Sequence, residues 1–111
     1  MHELSLCQAI AGVVTEHAKG RSVQVVRVRV GALRQVVPDS LTFCWNIVRD
    51  SADLADAALE LELMPGVVDC RQCGGRGELT SRWSILCPSC HSGDVAVVSG
   101  EEFLVTSLEV A

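Results

Sequence analysis

Two Cys-x-x-Cys pairs carry the clearest chemistry in this chain. Cys70 and Cys73 form the first pair, Cys87 and Cys90 form the second, and thirteen residues separate the pairs. Each short loop lets two thiolates converge on one metal ion, and two such loops complete a tetrahedron of sulfur ligands. The spacing therefore predicts a structural zinc site within a small module, residues 67–98.

A single iron atom or two disulfides are the alternatives for these four thiols. Disulfides are disfavoured because the opening Met-His-Glu has neither the basic region nor the apolar region of a secretory signal. Zinc is favoured over iron because soft thiolates in a tetrahedron suit it. A segment below about 40 residues usually folds only with a metal or disulfides. We therefore expect metal binding to supply much of the module's folding energy.

Charge and composition narrow the class of protein. The net charge is −5 and Lys19 is the single lysine, which argues against a nucleic-acid partner, since zinc ribbons bind nucleic acid through basic surfaces. The arginines of the module, Arg71, Arg76 and Arg82, are interpreted as a solvated face. The hydrophobic content of 49% indicates a globular chain, and no apolar run approaches the ~20 residues of a membrane span. We expect a cytoplasmic protein with no membrane partner.

The first residues offer a second kind of metal site. The Met1 amine, the backbone nitrogen of His2 and the His2 ring Nδ1 can close two fused chelate rings on one ion, and Glu3 could add a donor through its backbone or its carboxylate. Nitrogen donors in a plane suit Ni²⁺ or Cu²⁺. Taken alone, the pattern is a weak signal and favours an ordinary solvated terminus over a metal site.

Apolar periodicity predicts the elements that position these groups. Two amphipathic helices are expected, over residues 3–19 and from Pro38 to about Asp50, the second capped by Asp39 or Ser40. Alternating residues predict strands over 22–31, 59–63 and 101–110. The positions expected to face the core of the helices are Leu4, Cys7, Ile10, Ala11, Val14, Ala18, Leu41, Cys44, Trp45 and Val48. Cys7 and Cys44 are interpreted as small core hydrophobes.

The order of these elements predicts an α+β fold. Two strands alone make a marginal sheet, so the strand that follows the metal module should return to complete it. A three-stranded sheet with two helices would then form the first domain, residues 1–66 and 99–111. The zinc-ribbon-like module, 67–98, would be inserted between two strands, with hinges at Met64-Pro65-Gly66 and Ser99-Gly100.

Motifs spread along the chain resemble the HypA/HybF family of nickel-incorporation proteins for [NiFe]-hydrogenase. The motifs are Met1-His2-Glu3-Leu4-Ser5-Leu6, Val30-Gly31-Ala32-Leu33, Val36-x-Pro38-x-x-Leu41-x-Phe43-x-Trp45, Leu59-Glu60-Leu61-Glu62, the two cysteine pairs, and Ser107-Leu108-Glu109-Val110. The resemblance covers nearly the whole chain, and the order and spacing of the pieces make it specific.

The resemblance implies a nickel metallochaperone that is not an enzyme. It implies nickel, a transient cargo, bound around His2 with Glu3 adjacent, and structural zinc on Cys70, Cys73, Cys87 and Cys90. It also implies two partners, the accessory GTPase HypB and the hydrogenase large-subunit precursor, for a monomer or homodimer. His91 departs from the small residue that the family commonly has after the last cysteine, and is interpreted as a surface residue.

Two competing functions are a zinc-ribbon interaction module with no nickel role and an iron-based electron carrier.

Overall fold

The computed structural model describes residues 2–81 and 83–111, and of His2 only the backbone. These described residues form two α-helices, one 3-10 turn and six strands. The helices are α1 (His2–Ala18) and α2 (Pro38–Ser51), and the 3-10 turn is Ala32–Arg34. The strands are β1 (Val23–Gly31), β2 (Ala58–Met64), β3 (Val67–Cys70), β4 (Arg76–Glu78), β5 (Val95–Ser99) and β6 (Phe103–Val110). The predicted helices and strands are confirmed to within about two residues at each end.

The first sheet has the strand order β2-β1-β6, so the strand that follows the metal module does return to complete it. The second sheet has the order β4-β3-β5, and both of its pairings are antiparallel. The second sheet lies between β2 and β6 in the chain. The α+β class, with a cysteine-bearing module inserted between two strands of a three-stranded sheet, is confirmed.

The chain divides into two compact units. The first comprises residues 1–29, 36–62 and 104–111, and the second comprises residues 30–35 and 63–103. The second unit therefore contains the predicted module 67–98 together with short flanking segments. The predicted division into a nickel domain and a zinc domain stays a prediction, because it assigns a metal to each part.

The core of the first unit lies where α1 packs on α2 and where β1 turns its valines inward. Trp45 is fully buried, and its indole N–H donates to the Ala57 carbonyl at 2.9 Å, so the polar atom of this large ring is satisfied. The buried residues of the two helices are Glu3, Cys7, Ile10, Ala11, Val14, Ala18, Leu41, Trp45 and Val48. The predicted core positions are thus correct except at Leu4, which is 41% exposed, and at Cys44, which is half-buried.

The predicted side-chain cap of α2 was wrong. The N-cap residue is Val37, which forms no side-chain cap hydrogen bond, and Pro38 occupies the first turn. Asp39 is an acidic residue inside that first turn, where its charge favours the positive end of the helix dipole. Proline at the start removes one of the unpaired N–H groups, which lessens the need for a cap.

The glycines at the two predicted hinges pack tightly within the second unit. Gly66 and Gly100 are both buried, and a Cβ on Gly100 would lie 2.7 Å from the Gly66 Cα. The Leu33 N–H donates to the Gly100 carbonyl at 2.8 Å, and the Ser99 hydroxyl donates to the Pro65 carbonyl at 2.8 Å. These contacts describe a close-packed junction of backbone segments within the second unit.

Candidate metal centres

The four cysteines of the two pairs come together in the second unit. Their sulfur atoms all lie within 4.8 Å of one another, with Cys70 Sγ 3.6 Å from Cys90 Sγ and Cys73 Sγ 3.7 Å from Cys87 Sγ. Thiolates at about 2.3 Å from a tetrahedral ion lie ~3.8 Å apart, so the two distances fit such an ion. Cys70 and Cys87 are buried while Cys73 and Cys90 are exposed, which puts the cluster at the surface of the unit.

Each pair forms the same short turn around its first sulfur. The Cys73 N–H points at Cys70 Sγ at 3.4 Å, and the N–H groups of Ser89 and Cys90 point at Cys87 Sγ, both at 3.4 Å. The two donors at Cys87 favour the ionised form of that sulfur, which is the form that binds metal. In both pairs the local backbone directs an N–H group at the first sulfur.

The thiols of the second pair have opposite pKa shifts. Backbone N–H groups of Cys90 and Ser89 lower the pKa of Cys87 to about 6. The Ser92 backbone lowers the pKa of Cys90, but desolvation and the nearby Cys70, Cys87 and Cys73 sulfurs outweigh it and raise that pKa to about 12. One thiolate forms readily and discourages the next, because four like charges would crowd one another. A bound cation supplies the positive charge that four thiolates require.

His91 occupies a position that favours glycine. The turn after the first pair places Gly74 at φ +77°, and the turn after the second pair places His91 at φ +64°. In each turn this residue's N–H donates to the first cysteine's carbonyl at 2.9 Å. The departure from a small residue therefore puts a side chain where a left-handed backbone disfavours it. His91 is exposed, as predicted.

Replacing His91 with glycine should stabilise the metal-loaded protein, by about 0.5–1 kcal/mol, because glycine adopts this backbone without strain. Thermal unfolding of the loaded protein measures the change. Gly74→Ala, at the equivalent position of the first turn, is the matched control and should destabilise by a similar amount. A lower midpoint for the His91→Gly protein would show that the imidazole contributes more than the strain costs.

Two arginines of the second unit, Arg71 and Arg76, pair with acids and remain solvated. The Arg71 guanidinium lies 2.8 Å from Asp94, and Arg76 makes two hydrogen bonds to Asp69, at 2.6 and 3.0 Å. The hydrogen bond from Arg76 lowers the pKa of Asp69. The Arg71 and Arg76 side chains are about 60% exposed, so the predicted solvated face is correct for these two residues. Arg82 lies outside the described residues.

The predicted nickel ligands lie partly outside the described residues. Met1 is among those not described, and the same holds for the side chain of His2. The backbone of α1 begins at His2, so the first amides of the helix have no intrahelical acceptor. Glu3 is only 5% exposed, a burial that sequence reasoning did not predict.

A shallow depression lies beside the start of α1. Glu3, Leu4, Asp39, Ser40, Phe43, Cys44 and Ile47 line it. The structure therefore places Glu3 near Asp39 and Ser40, although 35 or more residues separate them in the chain. Leu4, Phe43 and Ile47 are 41%, 67% and 54% exposed, so the walls of the depression are apolar. Phe43 and Ile47 lie one turn apart on α2, outside the predicted stripe of core positions. Their spacing along the helix is the sequence feature from which this apolar surface could have been predicted.

The two remaining cysteines lie where the helices meet. Cys7 is fully buried, and its thiol donates to the Leu41 carbonyl at 3.3 Å. Burial raises the pKa of Cys7 to about 11, with smaller contributions from Cys44 and Glu3. A thiol held in its neutral form is a poor metal ligand and nucleophile, which fits the predicted packing role.

Comparisons with known proteins find related sequences that match nearly the whole chain. Residues 1–110 match the family model described as "HypA: Hydrogenase/urease nickel incorporation, metallochaperone". The chain is 38% identical over 110 residues to the hydrogenase maturation factor HypA of Nostoc punctiforme, covering 99% of this chain and 96% of the relative. It is 39% identical over 113 residues to the hydrogenase maturation factor HypA 2 of Bradyrhizobium diazoefficiens, covering 99% of each chain.

A solved structure shares the fold. The solution structure of the Ni metallochaperone HypA from Helicobacter pylori superposes with a TM-score of 0.69 at 24% identity, and the match covers 99% of this chain and 97% of that chain. The likeness extends over the whole chain, the cysteine-bearing unit included.

Proposed function

The chain belongs to the HypA family of hydrogenase and urease nickel-incorporation metallochaperones, and we propose from this premise that it binds Ni²⁺ at its N-terminus and passes it to a hydrogenase precursor. The match of residues 1–110 to the family model is the observation that carries the proposal. A zinc-ribbon interaction module with no nickel role is disfavoured, because the match extends far beyond the cysteine pairs.

The nickel ligands in this proposal are the Met1 amine, the His2 backbone nitrogen, the His2 ring and a donor from Glu3. The start of α1 at His2 supports the arrangement. The N–H of His2 has no acceptor within the helix, so a metal ion can replace its proton without breaking a helical hydrogen bond. Asp39 and Ser40 line the same depression as Glu3, so we propose them as candidate further donors. Because an amine and an amide must both lose protons, the affinity for nickel should rise with pH.

A terminal site of this kind suits delivery. Few protein ligands hold the ion, and a planar complex leaves its two faces open to an incoming ligand from the acceptor. The protein's own groups bind and orient the ion, and the exchange needs no bond-making enzyme chemistry. We therefore infer a carrier and not an enzyme.

The four-cysteine cluster is proposed to hold zinc for structure. The two sulfur–sulfur distances of 3.6 and 3.7 Å support a tetrahedral ion, and the N–H groups that face Cys87 Sγ support the ionised form of that sulfur. Zinc is the usual ion in a closed site of four thiolates, and it does not change its oxidation state there. The cluster would stabilise the second unit and would not take part in nickel transfer.

The proposed partners are the accessory GTPase HypB and the hydrogenase large-subunit precursor, in the cytoplasm. The cluster needs free thiols, and this need supports a reducing compartment such as the cytoplasm. In the part of the chain that the structure describes, neither helix has the length and apolar character to span a bilayer.

An extension of two residues ahead of Met1 should weaken nickel binding by on the order of 100-fold, or about 3 kcal/mol, because it turns the Met1 amine into a peptide amide. His2→Ala should likewise abolish stoichiometric nickel binding, while zinc content stays the same and stability changes by no more than about 0.5 kcal/mol. Calorimetric titration of Ni²⁺ into the zinc-loaded protein measures both effects.

His17→Ala is the matched control, because His17 lies at the opposite end of α1 and is exposed. It should leave nickel affinity unchanged. Equal affinity in the extended and free proteins would support the zinc-ribbon function instead. A visible absorption band from the purified protein would support the iron-based alternative.

A further inference from the structure

Two of the four clustered sulfurs are open to solvent. Cys73 and Cys90 are exposed, while Cys70 and Cys87 are buried. The thiolate form that binds a metal is also the form that reacts with oxidants, and the site of reaction follows exposure. A small oxidant therefore meets the second cysteine of each pair before it meets the first.

Two close contacts between sulfurs cross from one pair to the other. Cys90 Sγ lies 3.6 Å from Cys70 Sγ, and Cys73 Sγ lies 3.7 Å from Cys87 Sγ. Each contact joins one exposed sulfur to one buried sulfur. An exposed sulfur that is oxidised to a sulfenic acid therefore has a second thiolate beside it, in the other pair, with which it can condense.

We propose that hydrogen peroxide converts this cluster into two disulfides, one between Cys70 and Cys90 and one between Cys73 and Cys87, and that the zinc ion leaves as they form. The inference rests on the proposed zinc site. The exposed thiolate attacks a peroxide oxygen, which breaks the O–O bond and gives a sulfenic acid and hydroxide. The buried thiolate then attacks the sulfenic sulfur and displaces a second hydroxide. Each bridge thus oxidises two thiolates and reduces one peroxide to two hydroxides.

Bridges between the pairs would keep the second unit closed without a metal. Cys70 is the last residue of β3, and Cys90 lies in a turn ahead of β5. A bond between them would tie together two segments that the zinc ion otherwise joins. Bridges inside each pair would leave these segments separate. The oxidised unit should therefore keep its fold, and reduction by a dithiol should restore four thiolates that bind zinc again.

Zinc release and disulfide mapping test the proposal on the zinc-loaded protein. Hydrogen peroxide should release the zinc to a colorimetric chelator, and dithiothreitol with added Zn²⁺ should restore the zinc content. The oxidised, zinc-free protein should still resist limited proteolysis over residues 63–103. Mass spectrometry should find bridges between the pairs at least ~5-fold more abundant than bridges inside a pair.

Trypsin makes the two connectivities distinguishable. It cleaves after Arg71, so Cys70 and Cys73 fall on different peptides, while Cys87 and Cys90 share the peptide that begins at residue 83. A bridge inside the first pair joins the two smaller peptides to each other. Bridges between the pairs join each smaller peptide to residues 83–111, and fragmentation between the two cysteines of that peptide assigns each bridge.

A methyl group beside Cys73 should slow one of the two bridges. A Cβ on Gly75 would lie 3.5 Å from Cys73 Sγ, an ordinary van der Waals contact, so Gly75→Ala covers part of that sulfur without a clash. The bridge to Cys87 should then form at least ~3-fold more slowly than the other bridge, relative to wild type. Gly93→Ala is the matched control, because a Cβ there would meet only a Leu86 methyl carbon, at 3.8 Å. It should leave both rates unchanged.

Cys44→Ser should release zinc at the wild-type rate, because Cys44 lies outside the cluster. Zinc that stays bound in peroxide, bridges inside a pair, or sulfinic acids in place of disulfides would overturn the proposal. An unchanged ratio of the two bridges in the Gly75→Ala protein would overturn attack at the exposed Cys73 sulfur. A purified protein that holds no zinc and takes none up would overturn the proposed zinc site as well, so metal analysis before oxidation separates the two failures.

Discussion

Replacement of Cys73 or Cys87 with serine should release the proposed zinc ion and unfold the second unit while the first unit keeps its helices. The unit has few large buried side chains, and its four sulfurs are close enough to share one ion. A structural zinc site supplies on the order of 10 kcal/mol at neutral pH, more than the stability of most small domains. Metal analysis, together with limited proteolysis of residues 63–103, measures the loss.

Cys44→Ser is the matched control for this experiment, because Cys44 is half-buried in the first unit and lies outside the cluster. It should retain the full zinc content and a protease-resistant second unit. A metal-free Cys73→Ser protein that still resists proteolysis there would contradict the structural role of the site. Loss of nickel binding in that variant would further indicate that the cluster affects the terminal site, which the proposed function does not require.

Gly31→Ala should destabilise the protein by about 3–5 kcal/mol, among the larger effects expected of one methyl group. A Cβ at this position would lie 2.0 Å from the Gly100 carbonyl oxygen and 2.6 Å from the Glu101 nitrogen. Both are backbone atoms, and the Gly31 N–H already donates to the Glu102 carbonyl at 2.7 Å. Relief of the clash would break that hydrogen bond. Chemical denaturation of the zinc-loaded protein measures the change.

Gly12→Ala makes the same chemical change without the clash. Gly12 lies within α1, and a Cβ there would meet nothing within 4 Å. Alanine should therefore stabilise the helix by about 0.5–1 kcal/mol. Opposite signs for the two substitutions would confirm close packing at Gly31. A loss below about 1 kcal/mol for Gly31→Ala would mean that the junction is more adaptable than its contacts indicate.

Much of this protein could be predicted because many of its features depend on residues that are close together in the chain. The helices and strands follow from apolar spacing, because a helix repeats every 3.6 residues and a strand every two. The return of β6 follows from the instability of a two-stranded sheet. The cysteine pairs predict their own convergence, since two residues between cysteines is the spacing at which two sulfurs reach one ion. These inferences need only local geometry and a count of strands.

Other features depend on contacts between residues that are distant in the chain. Leu4 shares the helical spacing of the core residues but lies at the edge of the α1–α2 contact, where the depression leaves it exposed. The prediction of a side-chain cap for α2 was wrong because Pro38 removes an N–H that a side chain would otherwise satisfy. The burial of Glu3 depends on how the first turn of α1 meets α2. Periodicity gives the direction of a side chain but not what lies opposite it.

The sequence by itself determined the α+β class, the inserted module, the four clustered cysteines and the family, because each follows from spacing along the chain or from the order of motifs. Tertiary structure alone decided that Glu3 lies near Asp39 and Ser40, that Gly31 and Gly100 touch, that His91 has a left-handed backbone and that β1 lies between β2 and β6. The physical reason is that steric fit, burial and pairing arise between segments brought together by folding, and no pattern within one segment contains them.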